Sequence, residues 1–347
     1  MGNVWFCLVA LMLTAYVVLD GFDLGAGAIH LFVARTNDER RILLRTIGPV
    51  WDGNEVWLIA AGGTIYFAFP LLYASSFSGF YLPLMIVLWL LILRGISVEF
   101  RSHVASNVWA AFWDVVFCLA SLLLAIFFGA ALGNVIRGVP LDAQGRFFEP
   151  LWTNFRLGAD NGILDWFTIL AGVAALAALV MHGALWVALK SDGELNLRAR
   201  TVAGGAWFAV AAMTLLVTVA TFLVQPHVPA SLRAHRWGYI FPVLALAGLF
   251  GVARFILRKK EGAAFASSCA YLVGMLTSAA FGIHPDVLPA TNPAFSLTIA
   301  NSKAQDYGLR IGFIWWSIGM ALAISYTVFT YRRFAGKLAP PSEEEGY

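Results

Sequence analysis

Polar positions fall in short clusters between long apolar runs, and the scale of that alternation is the whole helix rather than the helical turn. Apolar runs cover about 4–33, 48–73, 79–100, 108–136, 162–189, 200–224, 238–257, 263–283 and 309–331. A helix rises about 1.5 Å per residue, so crossing about 30 Å of hydrocarbon takes roughly 20 apolar residues. The pattern predicts an all-α integral membrane protein of about nine transmembrane helices. The connections at 34–47, 74–78 and 101–107 are short, which makes the first four helices sequential antiparallel neighbours. One transmembrane domain is expected over 1–335, with an N-terminal bundle over about 1–136 and a C-terminal bundle over about 162–335. Residues 336–347, with Pro340, Pro341 and Glu343 to Glu345, read as a disordered cytoplasmic tail. The first apolar run has no basic leader and no small-residue cleavage pattern, and it continues past Asp20, so it is expected to stay in the mature protein.

Composition agrees with lipid as the main solvent: 60% of the 347 residues are hydrophobic and 12% charged, against about a quarter charged in soluble domains. Mean hydropathy is +0.76. The formal net charge of +3 is carried at span ends rather than in one patch, which argues against nucleic acid as a partner. With the N-terminus outside, only Arg137, Arg146, Arg156, Arg233, Arg236, Lys303 and Arg310 of the 23 basic residues lie on the outer side. The excess of Lys and Arg on the other side favours an N-out, C-in orientation. Cys7, Cys118 and Cys269 sit far apart in apolar runs and read as small buried hydrophobes.

Charged residues inside a span are costly and tend to mark function. The first three helices carry several. Helix one has Asp20 and Asp23 in LDGFDLGAG, helix two opens with Asp52 and Glu55 in GPVWDGNEVWL, and helix three ends with Arg94, Glu99 and Arg101 in LRGISVEFR. Residues three apart share a helix side, so each acidic pair projects together, and Arg94 and Arg101, seven apart, share a face. Four or five acids against two arginines in one layer favour the protonated form of at least one carboxyl. Such a group can take up and release protons. A cytoplasmic proton path through Asp52, Glu55, Asp20, Asp23 and Glu99 is one reading, with Asp52 leading because Gly53 and Asn54 leave room for water. The other is a purely structural set of ion pairs that holds three helices in register.

A six-coordinate b-type heme needs two axial ligands, commonly His or Met. His103, His227, His235 and His284 fall in predicted loops, His30 at the end of helix one, and only His182 lies deeper. No heme and no other metal is expected in this chain. Trp51 and Trp57 bracket the acidic motif and either line a passage for an apolar molecule or a quinone ring, or simply pack around the polar cluster. Gly21, Gly25 and Ala28 form a small-residue stripe that admits a close helix neighbour.

DGFDLGAG, NDERR, GPVWDGNEVWL, FSGFYLPL and RGISVEFR, in this order over about residues 15–102, together resemble the signature of subunit II of the cytochrome bd-type quinol oxidases. The resemblance implies a heterodimer with a homologously folded subunit I that carries two b-type hemes and one d-type heme, oxidises quinol at the outer face and reduces dioxygen to water. It implies a multi-pass protein of the bacterial plasma membrane that builds proton motive force without pumping: quinol protons leave outside, and water-forming protons come from the cytoplasm. It further implies a dioxygen passage edged by Trp57, room for a structural quinone or lipid, and in some assemblies a small single-span subunit. A proton-coupled secondary transporter is the rival class, though no internal repeat of the kind such folds carry is found. A membrane scaffold without chemistry is a third.

Overall fold

The computed structural model describes residues 1–158 and 161–338; residues 339–347 of the predicted tail lie outside them. The helices in chain order are α1 (Gly2–Val33), α2 (Asn37–Ile47), α3 (Trp51–Ala68), α4 (Pro70–Gly79), α5 (Tyr81–Phe100), α6 (Asn107–Arg137), α7 (Trp166–Lys190), α8 (Gly193–Val224), α9 (His227–Ala234), α10 (Ile240–Leu257), α11 (Glu261–Ile283), α12 (Ile299–Ser302) and α13 (Asp306–Arg333). One small antiparallel pair, β1 (Asp286–Leu288) with β2 (Leu297–Thr298), lies between α11 and α12.

Among the described residues, eight helices are long and apolar enough to cross a membrane: α1, α5, α6, α7, α8, α10 with its preceding turn, α11 and α13. The remaining predicted span, 48–73, is where the structure departs from the expectation. It divides at Phe69 into α3 and α4, and the polar first turn of α3 lowers its hydropathy. Pro70 is the cause of the break, since it has no N–H to continue the ladder and disfavours a helical residue before it; Phe69 takes φ −135° and ψ 67°, and Pro70 starts the next helix. The predicted loop at 74–78 is therefore helical.

The predicted connection 34–47 also contains a helix. Thr36 and Glu39 form a reciprocal capping box, Glu39 N–H donating to Thr36 Oγ1 at 3.2 Å and Thr36 N–H to Glu39 Oε2 at 3.1 Å. Such a box satisfies two otherwise orphaned donors. α2 is amphipathic, burying Leu43, Leu44 and Ile47. It marks one end of the bundle, the α2 end, where α1, α5 and α7 finish and α3, α6 and α8 begin.

α1 lies at the centre, packed against α3, α6, α7 and α11. Its closest approach is to α7, and glycine permits it: a Cβ on Gly25 would stand 1.9 Å from the Leu179 carbonyl oxygen, and one on Gly183 would stand 2.3 Å from Gly25 C. The core at this crossing runs through Phe22, Ile29, Leu124, Leu179, Leu185 and Trp186. A second core at the opposite end gathers Trp5, Phe69, Val139, Leu288 and Leu309, and Trp5 Nε1–H donates to the Leu309 carbonyl at 3.1 Å. Outward-facing Phe208, Leu223, Phe250 and Leu322 stay exposed, as side chains solvated by lipid do, because the bilayer rewards satisfied backbone rather than apolar burial.

Gly25→Val will lower the melting temperature of the assembled protein sharply. Overpacking at an ordinary core site costs roughly 1–3 kcal/mol, and here the added carbons meet backbone that cannot move aside. Gly53→Ala, where the nearest atom to the new carbon is 3.9 Å away, will leave the melting temperature within error of the wild type.

Candidate functional site

Two buried charge clusters occupy the α2 end. In the first, Arg94 of α5 is fully buried and reaches three acids. Its Nη2 donates to Asp20 Oδ1 at 2.6 Å and lies 3.6 Å from Asp23 Oδ2, while Nη1 reaches Glu55 Oε2 at 3.3 Å. Asp20 and Asp23 are 0% exposed and the Glu55 side chain 21%. The Trp51 ring covers the guanidinium at 5.3 Å, which adds a cation–π contact. Asn54 completes the group: its Nδ2 donates to Asp23 Oδ2 at 2.8 Å and to the Leu19 carbonyl at 3.2 Å, and its Oδ1 accepts from the Tyr331 hydroxyl at 2.7 Å. One guanidinium faces three carboxyls, so the cluster carries surplus negative charge unless two of the carboxyls hold protons. An unpaired charge away from water is costly enough that neutralisation is favoured.

The second cluster centres on Asp114 of α6. Its oxygens accept from Arg101 Nε at 2.6 Å and Nη2 at 3.2 Å, from Arg40 Nη1 at 3.0 Å, and meet His30 Nε2 at 2.7 Å. Arg101 also donates to Asn37 Oδ1 at 2.8 Å. Arg94 and Arg101 thus share a helix but not a layer: seven residues place Arg101 about 10 Å nearer the helix end, where Asp114 rather than the α1 acids meets it. Asp52, exposed in the first turn of α3, and Glu99, half-buried near the end of α5, stand outside the Arg94 group. Trp57 is half-buried two residues beyond Glu55.

Asp114 and Tyr331 were not singled out from sequence, and Asn54 only as room for water beside Asp52. Asp114 carried a signal, being the one acid in the apolar run 108–136. Asn54 and Tyr331 carried none, since an amide and a phenol are ordinary near span ends.

The opposite end has its own buried group. Arg137, at the last turn of α6, donates to Glu149 Oε1 and to Asn134 Oδ1 at 2.7 Å each, to the Gly162 carbonyl at 3.1 Å, and to Asp165. Asp165 also caps α7, accepting from Phe167 N at 2.7 Å and Thr168 N at 3.0 Å. Glu149 is 1% exposed. Burial, with Asp165 adding to it and Arg137 opposing, pushes the Glu149 carboxyl up to about 7.

The histidines of the helices do not fit a heme. His182 is wholly buried, with Nε2 donating to the Val18 carbonyl at 2.9 Å, Nδ1 at 2.7 Å from Ser268 Oγ, and its ring stacked on Phe265. Both nitrogens are committed to protein partners. His30 is held by Asp114. Among the described residues no three His, Cys, Asp or Glu side chains gather as metal ligands.

Residues 1–334 match the family described as cytochrome bd terminal oxidase subunit II. The chain is 33% identical to the probable cytochrome oxidase subunit 2 of Haemophilus influenzae over 96% of its own length and 94% of that relative. It is 33% identical to the cytochrome bd ubiquinol oxidase subunit 2 of Bacillus subtilis over 89% and 88%, and 29% identical to the cytochrome bd-I ubiquinol oxidase subunit 2 of Escherichia coli K12 over 96% and 94%. The solved bd oxidase of Geobacillus thermodenitrificans shares the fold, with a TM-score of 0.74 at 17% identity over 96% of this chain and 98% of that one.

Arg94→Met will strand two buried carboxylates and cost about 3–5 kcal/mol, as removal of one partner of a buried ion group does. Adding Asp20→Asn and Asp23→Asn to it will recover most of the loss in yield and melting temperature. Glu149 will make stability depend on pH. Its folded value lies above the unfolded value of about 4.3, so the folded state binds the extra proton between them. Stability then falls as pH rises from about 4.3 to about 7, by roughly 3–4 kcal/mol, and is flat above. Melting curves between pH 5 and 8.5 will show this slope in the wild type and lose it in Glu149→Gln.

Proposed function

The chain belongs to the cytochrome bd terminal oxidase subunit II family, and from that premise we propose that it is the heme-free subunit that supports a heme-bearing subunit I and feeds it cytoplasmic protons. As a family member it is part of an oxidoreductase complex, a multi-pass protein of a bacterial inner membrane. The family also implies a subunit I partner and hemes in the complex. In this reading subunit I holds two b-type hemes and one d-type heme, quinol is the electron donor, and the α2 end faces the cytoplasm. One transmembrane domain spans residues 1–335, whose two bundles meet at the α1 and α7 crossing.

The single observation that carries the proton role is the Arg94 cluster: three carboxyls on one guanidinium, two of them wholly buried, at the end rich in Lys and Arg. Reduction of one dioxygen to two waters consumes four protons and four electrons, and two quinols supply the electrons while releasing their four protons on the other side. Charge then crosses the membrane without a pump. The residues of this chain hold and hand on protons: Asp52 is exposed at the mouth, Glu55 stands one turn further in with its carboxylate on Arg94, and Asp20 and Asp23 lie behind. Each transfer moves one proton from a donor oxygen to an acceptor carboxylate. Glu99 stands on the same end of α5, and Arg101 with Asp114 anchors α5 to α6 beside it. Trp57, half-buried on α3, edges a dioxygen passage. A structural quinone or lipid in the bundle, and a small single-span subunit beside it, complete the proposal.

The alternative of a proton-coupled transporter predicts activity from this chain alone in liposomes. An oxidase subunit predicts co-purification with a partner that carries the heme spectrum, a d-type band being present in the complex and absent from this chain. In the purified complex, Asp52→Asn will slow proton-coupled quinol oxidation at least tenfold with heme content and assembly unchanged; turnover equal to the wild type would take Asp52 out of the path.

A further inference from the structure

The Arg94 cluster has hydrogen-bonding capacity that the protein does not meet. Asp20 Oδ2, Asp23 Oδ1 and Arg94 Nε are buried and have no hydrogen-bond partner among the described residues. Buried polar atoms of this kind are as a rule served by ordered water. Such water must come from somewhere, and two sides are open to consideration. Glu55, part-exposed, meets Arg94 from the α3 side. On the other side, Asn54 separates Asp23 from Tyr331.

Tyr331 has two faces. Its hydroxyl donates to Asn54 Oδ1 at 2.7 Å, and its ring borders a narrow cavity at the α2 end together with Arg45, Thr46, Pro49, Trp186 and Lys190. The cavity is wide enough for a water molecule. Tyr331 is held in place by a strap between the end of α13 and the end of α7: Lys190 donates to the Phe334 carbonyl while lying over the Trp186 ring, Leu338 N–H donates to the Lys190 carbonyl at 2.9 Å, and Lys337 donates to the Ser191 carbonyl at 2.9 Å and to Asp192 Oδ1 at 2.8 Å. The hydrogen-bonded route from cavity to acid runs through one residue pair, Tyr331 and Asn54.

We infer that the Tyr331 and Asn54 pair is the plug through which water from the α2-end cavity reaches the buried Asp20 and Asp23 carboxyls, and that Tyr331 is the positioning residue that keeps it shut. The reason lies in the amide. A carboxamide neither gains nor loses a proton near neutral pH, so the chain of hydrogen bonds from Tyr331 to Asp23 does not conduct protons by itself. It fixes Asn54 with its NH2 on Asp23 and its oxygen on the phenol, and fills the gap. When the phenol swings away, the freed Asn54 oxygen needs a donor, and water from the cavity supplies it. The inference rests on the proton-uptake reading for its purpose but not for its geometry.

The test follows hydrogen–deuterium exchange of the buried protonated carboxyl by infrared spectroscopy in the purified complex, the band being assigned by its loss in Asp20→Asn or Asp23→Asn. Tyr331→Phe keeps the ring and removes the latch. Exchange will become about fivefold faster, the factor that one hydrogen bond of ordinary strength is worth, while heme absorption and melting temperature stay at wild-type values. Glu55→Gln, which interrupts the separate route from Asp52, will leave in place the acceleration that Tyr331→Phe produces. Wild-type exchange in Tyr331→Phe, or an acceleration that Glu55→Gln abolishes, overturns the plug. The same variants separate the two readings. Fast exchange in Tyr331→Phe with undiminished quinol oxidation in Asp23→Asn supports the plug and removes the proton role, and slow oxidation in Asp23→Asn with unaltered exchange in Tyr331→Phe does the reverse.

Discussion

A guanidinium held out of water among three carboxyls is the constraint around which the first half of this bundle is arranged. Arg94 cannot shed its charge, and an uncompensated ion in hydrocarbon costs several kcal/mol. Its helix must therefore face α1 where Asp20 and Asp23 lie, and α3 must bring Glu55 to the remaining amino group. This one requirement fixes the rotation of three helices about their axes. Apolar packing alone would leave that rotation poorly determined, because lipid solvates a leucine as well as a neighbouring helix does.

Close contact supplies what the charges do not. The glycines at the α1 and α7 crossing let backbones touch, so dispersion over many short contacts holds the two halves together. The arrangement also divides labour by depth. Near the α2 end the Asp114 group, with Arg40, Arg101 and His30, balances its charge with cations in excess and acts as a clamp. The Arg94 group, deeper by about two turns, has acids in excess. In the proposed reading only the second has a proton to move. At the opposite end, Arg137 gathers the C-terminus of α6, the N-cap of α7 and Glu149 of the intervening loop, which ties a long connection to the membrane surface.

Membership in the bd oxidase subunit II family is the premise from which a proton role for this charge asymmetry is proposed. In the proposed reading the partner consumes protons and this chain delivers them. The acids with surplus charge sit at the end where basic residues concentrate, which is the end a cytoplasmic source requires.

The hydropathy pattern by itself determined the membrane class, the positions of the long helices and the three motifs whose acids and arginines meet, because a span length and a charge inside a span are both local facts. Family-specific motifs carried the kinship for the same reason. Which charges pair was not local. Arg94 and Arg101 look alike on a helical wheel, and only the depth at which α6 presents Asp114 separates them. The break at Phe69 and the helix inside 34–47 were readable in principle, from Pro70 and from the Thr36 and Glu39 cap. Asn54 and Tyr331 were not, since 277 residues separate them and nothing in either neighbourhood marks an amide and a phenol as partners until the last helix folds back against the first three.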